Sequence, residues 1–515
     1  MGTVRAGGLR AFVAAVSTAR RPEESRETPV VTVPRAPAIP HIVWMIAMLA
    51  LLLRIGLALA THYTSEDYMI TLRYAENLAH GQGFVYNAGE RVLGTTTPLY
   101  TLFLALVARL GLNATAAGKT LNILADSMLC VVMYRWLSSV GEEAAGKLAA
   151  FWAAVDPLHL RWAISGMETG LVTLCGAWIW LAYAQRRYVT AYAVLAVLFL
   201  LRWDTTLLAL VLTAAICWRE RRLPLKELSL YVILIAPWLL FATWYFGSPI
   251  PVTGAAKMTV YGWRGRSALL PYAGPLFMAY FGAALPFTLL AFLGIRRVIR
   301  QRWTVLLPPL IWFGLYWVAF LVSKILLFSW YLVPPSPVYG MLAALGALQI
   351  ARQWGRAWPR SVWLGSVGAV AGLVTVTIAW AMFLSCRESQ RIEDNLGIPI
   401  GLWLQRHSRP SDRILLEPIG YIGYTSQRPI LDAVGLVTPA VLPYYNSRNA
   451  APLLNISLAF RPEWCVLRPG EIQHILDAQQ STGIRWTDLY EPVKTFRYTP
   501  RPDRDWIIFT IYHRK

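Results

Sequence analysis

Pro98-Leu-Tyr-Thr-Leu-Phe-Leu-Ala-Leu-Val-Ala-Arg-Leu-Gly111 is an apolar run of only 14 residues. Whether it crosses a membrane fixes the side of every segment after it. As a helix rising about 1.5 Å per residue it reaches roughly 21 Å, short of a hydrocarbon layer of about 30 Å. Longer apolar stretches lie around it, among them His41 to Ala60, Pro271 to Leu293, Val305 to Val322 and Val362 to Leu384. With 56% hydrophobic and 15% charged residues over 515 positions, the chain reads as a polytopic membrane protein and excludes disordered, collagen-like and disulfide-scaffold classes.

The net charge of +20 is scattered between apolar segments, so it reads as topology and not as a nucleic-acid surface. The basic links are Arg186-Arg187, Arg219 to Lys226, Arg296 to Arg302 and Arg352 to Arg360, and the positive-inside rule wants all of them in the cytoplasm. If Pro98 to Gly111 spans, every one falls outside. If it lies flat on the outer interface or dips back, every one falls inside, and the rule selects this second reading.

The expected spans are then 43–60, 119–139, 144–160, 169–184, 188–201, 204–217, 229–246, 272–293, 304–322, 328–350 and 362–384. The short pair 188–201 and 204–217 also reads as a re-entrant hairpin, without changing the parity. Residues 1–42, with six Arg and no small-residue cleavage site, read as a disordered cytoplasmic tail before an uncleaved first span. Residues 43–384 form the expected all-α membrane domain of about 11 helices, with a first outer loop over 61–118. Residues 385–515 read as a small extracytoplasmic α/β domain. Its expected strands are Arg413 to Glu417, Trp464 to Leu467, Thr487 to Tyr498 and Trp506 to His513, and its expected helices Pro399 to Arg406 and Glu471 to Gln480.

Five Cys exclude a disulfide framework: Cys130, Cys175 and Cys217 sit in apolar runs, while Cys386 and Cys465 share the outer compartment, with pairing undecided by spacing. No metal-ligand spacing of Cys and His occurs. Asp126 and Arg135, nine residues apart in one span, predict partners elsewhere in the bundle, and no further run of mid-span charges is read.

Ionisable groups at membrane depth are costly, so they point to function. The first outer loop runs Tyr63-Thr-Ser-Glu66-Asp67-Tyr-Met-Ile-Thr-Leu-Arg73-Tyr74-Ala-Glu76-Asn77-Leu, then Gly81-Gln-Gly83-Phe-Val-Tyr-Asn87-Ala-Gly89-Glu90-Arg91-Val-Leu-Gly94-Thr-Thr-Thr97. Read locally, Glu66 and Asp67 favour a helix N-terminus through its dipole. Read as chemistry, a desolvated pair of like charges raises a carboxylate pKa and gives a base for a hydroxyl proton.

This loop resembles the first extracytoplasmic loop of the GT-C superfamily of polyprenyl-phosphate-sugar-dependent glycosyltransferases, in the branch that includes the mycobacterial terminal arabinofuranosyltransferase. Four further segments are similar in the same order: Ser165-Gly-Met-Glu168-Thr, Arg202-Trp-Asp204, Phe246-Gly-Ser-Pro-Ile-Pro251-Val-Thr253-Gly-Ala-Ala-Lys257, and Ile419 to Tyr424 leading to Asp432 to Leu436. The chain departs from the pattern at Glu66, where the branch has Asp, and at Thr95, where it has Tyr. The resemblance implies an inverting sugar transfer from a polyprenyl-phosphate donor to a glycan or lipid acceptor at the outer face of the plasma membrane.

It also implies a base at Asp67, with Glu66 as the rival. Arg73, Glu168, Arg202, Asp204, Thr253, Lys257 and Tyr331 are then the expected binding residues. A lone Lys257 could equally snorkel to headgroups, and Arg202 with Asp204 could simply close a turn. No cofactor is firmly implied; some members use a divalent cation, which Asp67 and Glu66 would hold here. The reading from another class is a lipid-linked glycan flippase, which predicts mid-span charges and internal repeats.

Overall fold

A computed structural model describes residues 38–263, 285–301, 303–323, 327–354, 360–446, 451–482, 485–499 and 505–515. Most of the expected tail, 1–37, and the first part of the expected 272–293 span lie outside the described residues. The architecture is a helical bundle followed by a small mixed sheet, and among the described residues three helices are long and apolar enough to cross a membrane. These are α1 (His41–Thr61), α4 (Ala114–Ser138) and α10 (Leu225–Phe246).

Between α1 and α4 come α2 (Glu66–Ala79), the helix of the expected first outer loop, and α3 (Pro98–Arg109). Helix α3 has 12 residues and buries only one face, through Tyr100, Thr101, Leu104, Ala105 and Val107. At about 18 Å it is too short to cross.

The expected 144–160 span is not one helix. It divides into α5 (Glu143–Val155) and α6 (Pro157–Ala163), because Asp156 caps the second piece by accepting from Leu158 N and His159 N at 3.0 and 3.1 Å, and Pro157 follows at its first position. Helices α7 (Thr169–Ala184), α8 (Tyr188–Leu201) and α9 (Thr206–Glu220) match the expected spans, the last two joined by a tight turn at Trp203–Thr205.

Beyond α10 lie α11 (Val252–Trp263), α12 (Leu285–Arg300), α13 (Leu307–Ser323) and α14 (Ser336–Trp354). The expected span 328–350 therefore opens on a separate tight turn, Ser329–Leu332. Helices α12 and α14 cross closely: a Cβ on Gly294 would lie 2.0 Å from Leu342 O, and one on Gly346 only 1.9 Å from Leu290 O. Helix α15 (Arg360–Ile392) runs 33 residues, about 50 Å, so position 385 falls inside one helix.

After α16 (Ile398–His407) the chain builds a five-stranded sheet in the order β2-β1-β3-β5-β4. The strands are β1 (Ile414–Leu416), β2 (Ile430–Asp432), β3 (Trp464–Leu467), β4 (Tyr490–Tyr498) and β5 (Ile507–Arg514). Strand β1 pairs in parallel with β2 and β3, and β5 runs antiparallel to both β3 and β4. The sequence reading lacks β2, a three-residue strand with no room to show alternation.

Asp126 finds its partners elsewhere in the bundle, as expected, and the reading of no further mid-span charge is corrected. Asp126 is partnered by a residue of the first span, Arg54: Nε donates to Asp126 Oδ2 at 2.6 Å, and His159 Nδ1 lies 2.6 Å from Oδ1. His159 Nε2 continues to Ser336 Oγ at 2.7 Å, and the remaining Arg54 donors reach the carbonyls of Ala50, Ala153 and Ala154. Mid-bundle charge is thus present, and it closes on itself. Cys386 packs beside Leu57 and Tyr63, while Cys465 lies in the sheet core, and both are free thiols.

Candidate active site

Five segments converge on one pocket. Its wall includes Asp67 from α2, Glu168 before α7, Arg202 after α8, Thr253 and Lys257 from α11, and Tyr331. Each segment is held in place by packing that its own residues require. Gly166, at φ +88°, has the Tyr68 ring 2.8 Å from where a Cβ would stand, so only glycine lets the Ser165–Glu168 turn sit against α2. Ser65 N donates to Ser165 O at 2.8 Å and Tyr100 OH to Gly166 O at 2.6 Å, tying the turn to both outer-loop helices. Val252 N donates to Leu93 O at 3.1 Å and anchors the start of α11 to the same loop.

The cations are preset. Asp204 grips Arg202 in a fork, Nε to Oδ1 at 3.1 Å and Nη2 to Oδ2 at 2.8 Å, and leaves Nη1 3.9 Å from Glu168. Asp204 does not itself line the pocket; it aims Arg202. Lys257 Nζ lies 4.9, 5.5 and 5.8 Å from the ring centres of Phe328, Trp330 and Tyr331. Burial works against this ammonium, but Tyr331 and Asp67 more than offset it, and its pKa is held above the ordinary lysine value.

The two carboxylates of the acidic pair face different ways. Asp67 lines the pocket, whereas Glu66 accepts from Gly420 N of the C-terminal domain. Burial, then the charges of Asp67 and Glu393, hold the Glu66 carboxyl well above the usual range. Glu168, buried, is pushed up to about 7 by desolvation that Arg202 only partly counters.

Arg73 is displaced from the expected binding set. Its Nη1 and Nη2 donate to Gly423 O and Arg428 O at 2.6 and 2.7 Å, and the guanidinium lies over the Tyr86 ring. It fastens α2 to the C-terminal domain and does not reach the pocket. The motif Ile419 to Tyr424 serves the same contact: Tyr86 OH donates to Ile419 O at 2.5 Å, and Tyr424 OH to Glu76 at 2.6 Å. Asn87 pairs with Ile430 through both its amide groups, at 2.8 and 2.9 Å, and covers the β2 edge of the sheet.

Residues outside the expected set also form the wall. Thr95, Thr96 and Thr97 bring hydroxyls, Trp330 brings an aromatic face, and Leu436 comes from the turn after β2. A Cβ on Gly94 would fall 2.6 Å from Leu436 O, so a glycine there lets the C-terminal domain close on the loop. The signal for the threonines was the Gly-Thr-Thr-Thr run itself; for Trp330 it was the aromatic triplet around Ser329.

A divalent cation does not suit this donor set. Glu66 is turned to a backbone N–H, Glu168 faces Arg202, and among the described residues no group of three His, Cys, Asp or Glu could hold a metal ion. Positive charge at the pocket is supplied by Arg202 and Lys257.

Known proteins were compared with this arrangement. The terminal β-(1→2)-arabinofuranosyltransferase of Mycobacterium tuberculosis is 24% identical over 378 residues, 62% of this chain and 58% of that protein, so the chain spans under two thirds of that relative. ArnT from Cupriavidus metallidurans, bound to undecaprenyl phosphate, matches at TM-score 0.55 and 14% identity over 92% of this chain and 98% of its own. The Archaeoglobus fulgidus oligosaccharyltransferase AglB, in complex with an inhibitory peptide and a dolichol-phosphate, matches at TM-score 0.56 and 11% identity over 83% and 69%. Residues 383–510 match a family model described as a domain of unknown function, DUF8728. The fold is that of the GT-C glycosyltransferases, in agreement with the resemblance read from the sequence.

Proposed function

We propose that this GT-C fold is a membrane glycosyltransferase that moves a sugar from a polyprenyl-phosphate donor, with inversion, to a hydroxyl of a cell-envelope glycan or lipid at the outer face. The observation that carries the reading is the meeting of the Asp67 carboxylate with two cations, Arg202 and Lys257, in a single pocket. The undecaprenyl and dolichol phosphates bound by two proteins of the same fold support a lipid-linked donor in general terms.

In the proposed step the acceptor oxygen attacks the anomeric carbon from the face opposite the phosphate. Asp67 takes the hydroxyl proton, the carbon–oxygen bond to phosphate breaks, and the phosphate keeps the electron pair. Lys257 and Arg202 offset the charge that develops on the leaving group, and Thr253 offers it a hydroxyl. One displacement inverts the centre. Glu66 is the weaker candidate base because its carboxyl is committed to Gly420. The flippase reading gains mid-bundle charge from Arg54, Asp126 and His159, but these groups are spent on one another and on Ser336.

The test is incubation of membranes carrying the protein with radiolabelled polyprenyl-phosphate pentoses and hexoses, followed by product analysis. Asp67→Asn should lower transfer by about 10²–10⁴-fold, with Glu66→Gln costing less. Full turnover in Asp67→Asn beside an inactive Glu66→Gln would move the base to Glu66. Flipping of the labelled lipid in proteoliposomes with no transfer from any donor would sink the enzyme reading.

A further inference from the structure

At the end of the sheet away from the pocket, where β1 and β3 begin and β5 ends, lies a second concavity of about 530 Å³. Arg406 and Arg409 enter it from the end of α16 and the link that follows, and Arg514 and Lys515 from the end of β5. Its two carboxylates are already committed. Asp412 accepts from Trp464 Nε1 at 3.1 Å and Arg409 N at 2.9 Å; Glu463 accepts from Arg413 N at 2.8 Å and Arg514 at 3.1 Å. The Arg406 and Arg409 guanidinium groups, both exposed, have no ion-pair partner among the described residues. The groove therefore has surplus positive charge facing solvent.

One of its imidazoles is stacked flat on a Trp, and the other packs tilted against a second. His407 lies parallel to Trp403 with ring centres 4.2 Å apart and its Nδ1 engaged by Trp403 O, which leaves Nε2 outward; His513 packs on Trp464 at 4.3 Å. Planar guanidinium forks beside ring nitrogens match a carboxylate or phosphate, and a concavity of this size suits one or two sugar rings. A membrane surface would call for a convex basic face with apolar side chains pressing outward, and this surface is concave and polar.

We infer that this groove is a binding site for an anionic saccharide, a phosphate- or carboxylate-bearing unit of the acceptor glycan. Its assignment to the acceptor rests on the proposed glycosyl transfer; the binding itself does not. The site lies on the far side of the C-terminal domain from Asp67, so it would hold a stretch of polymer distant from the reacting hydroxyl.

The test uses the full chain in nanodiscs at about 0.15 M salt, where exposed charges are screened beyond about 8 Å, and equilibrium dialysis of radiolabelled glucose 6-phosphate and glucuronate. Saturable binding is expected, uncompeted by glucose, weakened at least about tenfold in the double variant Arg406→Ser, Arg409→Ser, and retained in Lys257→Met. Transfer to a short neutral acceptor should be unchanged in the double variant. Binding that survives the double variant, or that vanishes in Lys257→Met, would overturn the site. Inorganic phosphate binding as tightly as the sugar phosphate would reduce it to an unspecific anion site and overturn the saccharide assignment. Sugar-phosphate binding in a wild-type protein without transferase activity would remove the acceptor role and keep the site.

Discussion

Glu168 and Asp67 share a pocket wall, and burial governs the first of them. Glu168 is 3% exposed, and Arg202, which only partly counters that burial, is drawn toward Asp204 by a two-bond fork, so the carboxyl pKa rises from 4.5 to about 7. A carboxyl whose pKa is raised on folding favours the protonated native state. Its contribution is complete below about pH 4.5 and is lost as pH rises through about 7. The melting temperature of the purified protein should therefore fall between about pH 5 and pH 8, and Glu168→Gln should flatten that fall. Equal slopes in wild type and variant would show that Glu168 does not titrate in this window.

Helix α2 carries two duties on two faces, and the sequence does not separate them. Asp67 meets the pocket; Arg73, two turns on, donates to two carbonyls of the C-terminal domain 350 and 355 positions away. Arg73→Met would leave the Arg428 carbonyl without its guanidinium donor, at about 1–3 kcal/mol, and Gly423 O with only the longer Ser426 Oγ bond at 3.3 Å. The variant should melt earlier and expose the C-terminal domain to limited proteolysis. Arg73→Lys should rescue little, because a single ammonium cannot reproduce the fork. Wild-type protease resistance in Arg73→Met would mean the clamp is not structural.

Asp67, Glu168, Arg202 and Lys257 were legible because a charge at the end of an apolar span is costly and so reports a purpose. Arg73, Tyr86 and Asn87 were not separable from them, since a docking residue and a binding residue look alike until the distant partner is known. Arg54 was legible in principle, as one Arg in a 21-residue apolar helix, but its partners Asp126 and His159 come from two other helices. Strand β2 was out of reach, because three buried residues carry no period.

The alternation of sides drawn from charge has a geometric counterpart across the molecule. Glu142, in the link between α4 and α5, binds Arg297 at 2.5 Å and lies 3.6 Å from Arg352, so three links expected on the inner side meet at one end of the bundle. Arg186 lies 3.6 Å from Glu220, joining two more. The links expected on the outer side meet in one place too, around Asp67. A crossing by α3 would part Asp67, which precedes it, from the pocket residues that follow it, so these meetings themselves speak against a crossing. The helix's 12 residues are too few, and its outer face presents Leu102 and Leu106, 45% and 59% exposed, as a helix lying on a membrane interface would. On a background with all five native Cys replaced, Ala88→Cys and Gln427→Cys should react with a membrane-impermeant thiol reagent in intact cells, and Lys226→Cys should be protected until the cells are opened. Labelling of Lys226→Cys with protection of both others would mean that the whole bundle, its first helix included, is inserted the other way round. The pocket, the sheet and the basic groove would then face the cytoplasm, and the acceptor would have to be sought there.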